Sequence, residues 1–317
     1  MTRVADKVRR KRIRKTHPET LAESTSARPE VLGERSIRRA RGINWPVTIW
    51  LVLVHVIALA APFTFTWEGL ALCLFMHWVT GSVGVCIGYH RLLTHSSFQT
   101  YKPLRYLFAL IGGLSGEGSA ISWVSDHRKH HAHSDTEHDP HSPNDGSWWS
   151  HMVWLAYAIR GKEAEEHVKR WAPDIGRDRG MQFLDKMFLP IQFLSGGVFG
   201  ALGYWLGGMP MAISFVVWGV FVRMVAVLHT TWFVNSASHM FGYKNYDSKD
   251  DSRNCWWVGL IAYGEGWHNN HHAFPRMAKH GHKWWEFDLS WQLIRLMRWT
   301  GLAWNVVDYK KRGDLVE

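Results

Sequence analysis

Cysteine is nearly absent from this 317-residue chain: Cys73, Cys86 and Cys255 are the only three. They are odd in number, far apart and form no CxxC pair, which excludes a disulfide framework and a zinc ribbon. Each is expected to be a buried apolar thiol. Charge is missing from long stretches. No Asp, Glu, Lys or Arg occurs from Ile43 to Phe65, from Gly69 to Tyr89, or over the 36 residues from Met187 to Val222. The slightly negative mean hydropathy of −0.19 therefore hides a segregation of charged and apolar segments. No internal repeat and no cleavable signal peptide is read.

A helix rises about 1.5 Å per residue, so about 20 apolar residues cross a ~30 Å hydrocarbon layer. The first two uncharged runs each predict one span, joined as a hairpin through Thr66-Trp67-Glu68. The third run is too long for one span. Gly207-Gly208-Met209-Pro210 interrupts it, which predicts helices near 187–206 and 209–231, the second carrying Arg223. The apolar stretch from Tyr106 to Gly116 is too short to cross and is expected at the membrane surface. Twenty tryptophans fit a protein that straddles membrane–water interfaces.

The formal net charge of +10 is concentrated locally: residues 1–41 carry 13 Lys/Arg against 5 Asp/Glu. A basic segment followed by a span predicts a tail on the anionic cytoplasmic face of a bilayer rather than a nucleic-acid-binding arm. The hairpin tips 66–68 and 207–210 contain no Lys or Arg, so they are expected on the opposite side. The resulting fold expectation is an all-α integral membrane protein. It has four transmembrane helices, both termini inside, and a cytoplasmic helical cap formed by 90–186 and 232–317. The expected divisions are a disordered basic tail (1–41), one membrane domain (42–308) and a short C-terminal tail (309–317).

Histidine is abundant, at 20 residues, and clustered. The clusters are His90-Arg91-Leu92-Leu93-Thr94-His95, His127-Arg128-Lys129-His130-His131 and His268-Asn269-Asn270-His271-His272. Successive helical residues rotate by about 100°. An HxxHH box therefore projects three imidazoles from one face, which suits convergence on metal. The HxxxxH spacing of the first box puts its histidines about 140° apart on an α-helix, which suits two different metals or a helix end. Eight histidines exceed the four ligands of one tetrahedral zinc and suit two ions. Imidazole accepts iron, zinc, copper or nickel, so ligand type alone does not name the metal. His133, His138 and His141 lie in an acidic turn and are outer-shell candidates. His55, His77, His151, His167, His229, His280 and His282 are expected to be structural or interfacial.

These boxes and their surroundings resemble the membrane fatty-acid desaturases, and within them the Δ9 acyl desaturases of the cyanobacterial and bacterial acyl-lipid type. The resemblance runs from about residue 42 to 308. It is carried by Gly88-Tyr89 before His90, Asp126 before His127, His133-Ser134-Asp135, Asp139-Pro140-His141, Trp232-Phe233-Val234-Asn235-Ser236 and Gly264-Glu265-Gly266-Trp267 before His268. The resemblance implies two iron ions that use O₂ to place a cis double bond in a saturated C16–C18 acyl chain. It implies His90, His95, His127, His130, His131, His268, His271 and His272 as ligands. It adds a ninth, His239, and Asn235 acting through a bound water. Asn235 and His239, four residues apart, would share a helix face. Trp123 and Trp232 are placed to line an acyl tunnel.

The resemblance also implies an arginine two residues before His127 in acyl-CoA enzymes. Ser125 stands there instead, which favours a lipid-linked acyl chain, although Arg128, Lys129, Arg160 and Lys162 lie close enough to form a phosphate site. No HPGG haem motif is present, so the electron donor is expected to be a separate protein, ferredoxin, with cytochrome b5 as the alternative. The expected location is a bacterial inner membrane or a thylakoid, with the active site on the cytoplasmic side. The competing readings are an acyl-CoA Δ9 desaturase, a di-iron membrane hydroxylase or ketolase, and, from another class, a metal transporter.

Overall fold

The computed structural model describes residues 33–308. Residues 1–32 and 309–317, which hold most of the basic tail and the C-terminal tail, lie outside the described residues. The described chain is helical throughout, with no strand and only isolated bridges such as Gln99 to Trp304. Three helices are long and apolar enough to cross a membrane: Trp45–Phe63, Trp67–Thr94 and Phe188–Met240. Their outward faces carry bare apolar side chains, among them Leu53, Val56, Leu74, Phe75, Phe193 and Trp205. A continuous apolar band of this kind matches lipid as the surrounding solvent.

The third of these helices has 53 residues, far more than a bilayer needs, and it turns back on itself. Gly207 and Gly208 leave the helical region, and Gly208 sits at φ +69°, ψ −160°, a conformation reserved in practice for glycine. A Cβ on Gly203 would lie 2.6 Å from the carbonyl of Met211, and one on Gly219 would touch the Phe199 ring at 3.2 Å. Residues 199 and 219 would be about 30 Å apart in a straight helix. The segment is therefore a close-packed helical hairpin with its tip at the predicted glycine pair.

The expected tail boundary at residue 41 gives way to a short helix, Glu34–Ala40. Arg38 is fully buried there, bonded to Glu34 at 2.8 Å and to Asp126 at 3.4 Å. Ion pairing, which composition does not reveal, draws this basic segment into the fold. The apolar stretch that begins at Tyr106 belongs to helix Lys102–Gly113. It packs on Trp67–Thr94 so closely that a Cβ on Gly84 would lie 2.6 Å from the Gly112 nitrogen. The three cysteines are free and buried, as expected.

From Trp78 to Thr94 the second apolar helix is wound in the wider π register, in which each N–H bonds the fifth residue back. The register carries through its end, where His95 N–H donates to His90 C=O at 3.1 Å. This local geometry determines where the first histidine box points.

Candidate metal centre and acyl passage

Nine histidines from four parts of the chain meet at one place. His90 and His95 come from the end of the second apolar helix, and His127, His130 and His131 from helix Ala120–His133. His239 lies in Ala237–Met240, and His268, His271 and His272 in His268–Ala273. Their ring nitrogens form two groups, each within 4.8 Å: His90, His95, His127, His131 and His271 in one; His130, His239, His268 and His272 in the other.

The helical period explains the division. In each HxxHH box the i and i+4 histidines, 127 with 131 and 268 with 272, share a group. The i+3 histidine, 130 or 271, turns to the other group. Of the two readings of the first box, two different metals or a helix end, the second fits: five residues make about one turn of π-helix, so His90 and His95 face one group at the helix end. The expectation that Asn235 and His239 share a continuous helix face also fails, because the helix pauses at Ser236 and restarts at Ala237.

Carboxylates hold several of these rings in orientation. Nδ1 of His90 meets Glu265 at 2.7 Å, and that of His130 meets both oxygens of Asp139 at 3.0 Å. Nδ1 of His239 meets Asp135 at 2.8 Å, and that of His272 meets Asp250 at 2.6 Å. An Nδ1–H donated to a carboxylate leaves Nε2 as a bare lone pair. These Nε2 atoms face inward. Nε2 of His271 lies 3.0 Å from Nε2 of both His90 and His131, and Nε2 of His239 lies 3.0 Å from that of His268. A single N–H serves only one such contact. Nε2 of His95 and of His272 are buried with no partner at all.

Burial holds His95, His127, His131, His268 and His271 well below the usual imidazole range, and lowers His272 to about 4. At neutral pH the pocket is therefore crowded with uncompensated lone pairs. Inward lone pairs with carboxylates behind them are what a pair of cations would satisfy, and the residues present fit two metal ions.

Spacing gave no reason to single out the four carboxylates, although three of them, Asp135, Asp139 and Glu265, stand in the motifs quoted above. His280, expected to be structural or interfacial, joins this network. Its Nδ1 lies 3.0 Å from the same Glu265 oxygen that His90 uses, and His141 joins His130 and Asp139. Burial tends to raise the Glu265 carboxyl, but the neighbouring Arg91 guanidinium outweighs it and holds the group well below its usual value. Arg91 is fully buried and also bonds Asp288 and the Ala278 carbonyl. His133 and His138 lie outside both groups.

A cavity of about 370 Å³ opens beside the histidines. It is lined by Trp50, Trp123, Leu228 and Trp232, with Asn235 and His127 at the metal side and Asn44, Ser125 and Asp126 among its polar groups. A second cavity continues past the histidines and shares Trp123, His127, Thr231 and Asn235 with the first. At that junction Glu117 accepts hydrogen bonds from the Trp123 indole at 2.8 Å and the Thr231 hydroxyl at 2.6 Å. Burial pushes its carboxyl up to about 7. The three side chains clasp the passage where it meets the histidines.

The basic residues near the larger cavity are partly engaged within the protein. Arg128 pairs with Asp174 at 2.6 Å, Lys129 with Glu34 at 2.7 Å, and Arg160 donates to the carbonyls of Ile43 and Arg41.

The fatty acid desaturase family profile matches residues 65–297. The chain is 48% identical over 266 residues to the sn-1 stearoyl-lipid 9-desaturase of Anabaena variabilis, covering 83% of this chain and 94% of the relative. It is 46% identical over 272 residues to the sn-2 palmitoyl-lipid 9-desaturase of Nostoc sp. (strain 36), covering 86% and 93%. It is 40% identical over 280 residues to the acyl-CoA 5-desaturase of Anemone leveillei, covering 84% of each.

The pocket has a defined pH response. A buried histidine whose folded pKa lies below its unfolded value binds fewer protons folded than unfolded, so stability falls as pH falls through that interval. For His272 the interval runs from 6.5 down to about 4. The thermal midpoint of the metal-depleted protein in detergent should drop steadily across it. A midpoint independent of pH there would show that these rings are not held neutral by burial.

Proposed function

Because the chain belongs to the fatty acid desaturase family, we propose that it is an O₂-dependent acyl-lipid desaturase. On this reading it places a cis double bond at carbon 9 of a saturated C16–C18 chain. The carrying observation is that the two histidine groups open on a narrowed passage continuing on both sides. An acyl chain threaded through it exposes one short stretch to the metals and buries the rest. The names of the cyanobacterial relatives support the Δ9 position and the lipid-linked substrate.

We assign the metal ligands as the two histidine groups, with Asn235 beside them through a bound water. Iron held there would use O₂ to supply the oxidising power that removes two hydrogens from an unactivated chain. The protein's own residues do the rest. Trp123, Thr231 and Glu117 hold the chain at the junction, so that the distance from the head group selects the carbons that react. Trp232 walls the chain on the head-group side. Apolar walls exclude water from a reaction in which stray protons and nucleophiles would be destructive. Glu265, Asp135, Asp139 and Asp250 keep the imidazoles aimed.

Ser125 in place of an arginine, with Arg128, Lys129 and Arg160 engaged elsewhere, leaves little to grip the phosphates of an acyl-CoA. That observation favours the lipid-linked reading. Reducing equivalents would come from a separate protein, with ferredoxin the expected donor. The broken third helix counts as two spans on this reading, giving four crossings with both termini and the histidines on the cytoplasmic side.

Topology reporters placed after residues 67 and 208 should report the side opposite to reporters at the termini; agreement of all four would overturn the four-span arrangement. Replacing His271 with Ala should leave an inserted protein with lower iron content and no product, and near-normal turnover would refute the metal assignment. With ferredoxin and its reductase supplied, purified enzyme should desaturate a stearoyl glycerolipid in bilayers far faster than stearoyl-CoA. The reverse preference would remove the lipid-linked assignment and leave the desaturase reading intact.

A further inference from the structure

The second cavity runs along one face of the second apolar helix. His77, Gly81, Val85 and Cys86 line it on the way to His90, at intervals of four residues broken only by the adjacent pair Val85 and Cys86, as a shared helix face allows. Thirteen residues separate His77 from His90, which sets them roughly 15–20 Å apart at helical rise. Val227, Thr230, Thr231, Val234 and Asn235 line the opposite side. One end of this cavity is thus the histidine cluster, and the other is His77 with its neighbours.

That far end is chemically out of place. The walls between are mainly apolar, yet the floor is a closed polar knot. His77 Nδ1 meets the Tyr263 hydroxyl at 2.5 Å, and His77 Nε2 meets the Thr230 hydroxyl at 3.3 Å. Because these groups satisfy one another, the Tyr263 and His77 rings, 5.6 Å apart, can close the end without leaving unpaired polar atoms towards a hydrocarbon chain.

The backbone is strained to achieve this. Tyr263 sits at φ +55° and is followed by Gly264 at φ +112°. A bulky side chain in the left-handed region is an outlier that the surrounding structure must enforce. Here Ser290 N–H donates to the Tyr263 carbonyl at 3.1 Å. Gly264 leaves room for Asp288, whose oxygen would lie 2.4 Å from any Cβ there. Gly81 completes the fit, since a Cβ on it would stand 3.0 Å from Tyr263 Cε2.

We propose that Tyr263, pinned by His77 and Thr230, is the floor of the acyl passage and sets how long a methyl-terminal segment the enzyme accepts. The inference rests on the desaturase reading above. It assigns double-bond position and chain-length limit to different residues: position to the junction at Trp123, Thr231 and Glu117, and length to a knot near the other end of the second cavity.

The test is expression of the full chain, wild type and variants, in a host without a desaturase of its own, supplied with palmitoyl, stearoyl and eicosanoyl chains. Products are read by mass and by double-bond location. If the wild type forms no double bonds, the desaturase reading itself fails. Given wild-type activity, Tyr263→Ala should raise the eicosanoyl-to-stearoyl product ratio by about 10-fold or more, the discrimination that one or more methylenes in an apolar pocket provides. Double bonds should stay at the same carbon counted from the carboxyl end.

Gly81→Ala should act in the opposite sense, because its methyl group pushes the Tyr263 ring into the passage. It should raise the palmitoyl-to-stearoyl ratio, and it decides the matter if Tyr263→Ala yields no active protein. An active Tyr263→Ala with wild-type chain preference, or a Gly81→Ala with unchanged or longer preference, would overturn the proposal. So would a shifted double-bond position, since it would place Tyr263 at the reacting carbons.

Discussion

The rings of nine histidines turn nitrogen lone pairs toward one another inside a buried pocket, and much of the architecture around it exists to hold them there. Without a cation, such an arrangement is electrostatically unfavourable, because bare imidazole nitrogens at about 3 Å repel. It persists because each constraint is backed by another. Asp135, Asp139 and Asp250 take the outer N–H groups of His239, His130 and His272, and Glu265 lies 2.7 Å from Nδ1 of His90. Arg91, buried between Glu265 and Asp288, neutralises the negative charge nearest the first group.

The same constraint accounts for local irregularities that would otherwise look like defects. The second apolar helix is wound in π register where it delivers His90 and His95, as extra residues per turn often are at functional sites. The third apolar helix stops at Asn235 and resumes one residue later to place His239. Tyr263 accepts a left-handed backbone just before the segment Gly264-Glu265-Gly266-Trp267 that leads into the third histidine box. Each costs some backbone energy. Each lies within reach of the histidine cluster or of the passage that leads to it.

Membrane and site are coupled through the passage. Apolar helices hold its walls, while the first two histidine boxes sit at helix ends. On the proposed reading an apolar chain lies in a low-dielectric channel and meets a polar, carboxylate-buffered cluster at one point. Trp123 stands at that meeting, stacked on His127 at 4.7 Å and bonded to Glu117. An indole stacked on one face and tied at its N–H edge is held in a single orientation.

Much of this was legible in the chain itself. Charge-free runs of spanning length, the glycine–proline break at 207–210 and the HxxHH spacing follow from helix rise and rotation, which act locally and need no knowledge of the fold. The sequence by itself therefore determined that apolar helices carry clustered imidazoles at their ends. Spacing could not assign His95 to the group of His90, because that depends on a π register stabilised by packing against helix Lys102–Gly113. Nor could it find His280, Asp250 or the Arg38–Asp126 ion pair, whose partners lie far from them in the chain. The division of nine histidines into five and four, and the polar floor joining His77, Thr230 and Tyr263, were decided only by tertiary structure. Both depend on where helices cross, and helix crossing is set by side-chain packing between segments that no local period encodes.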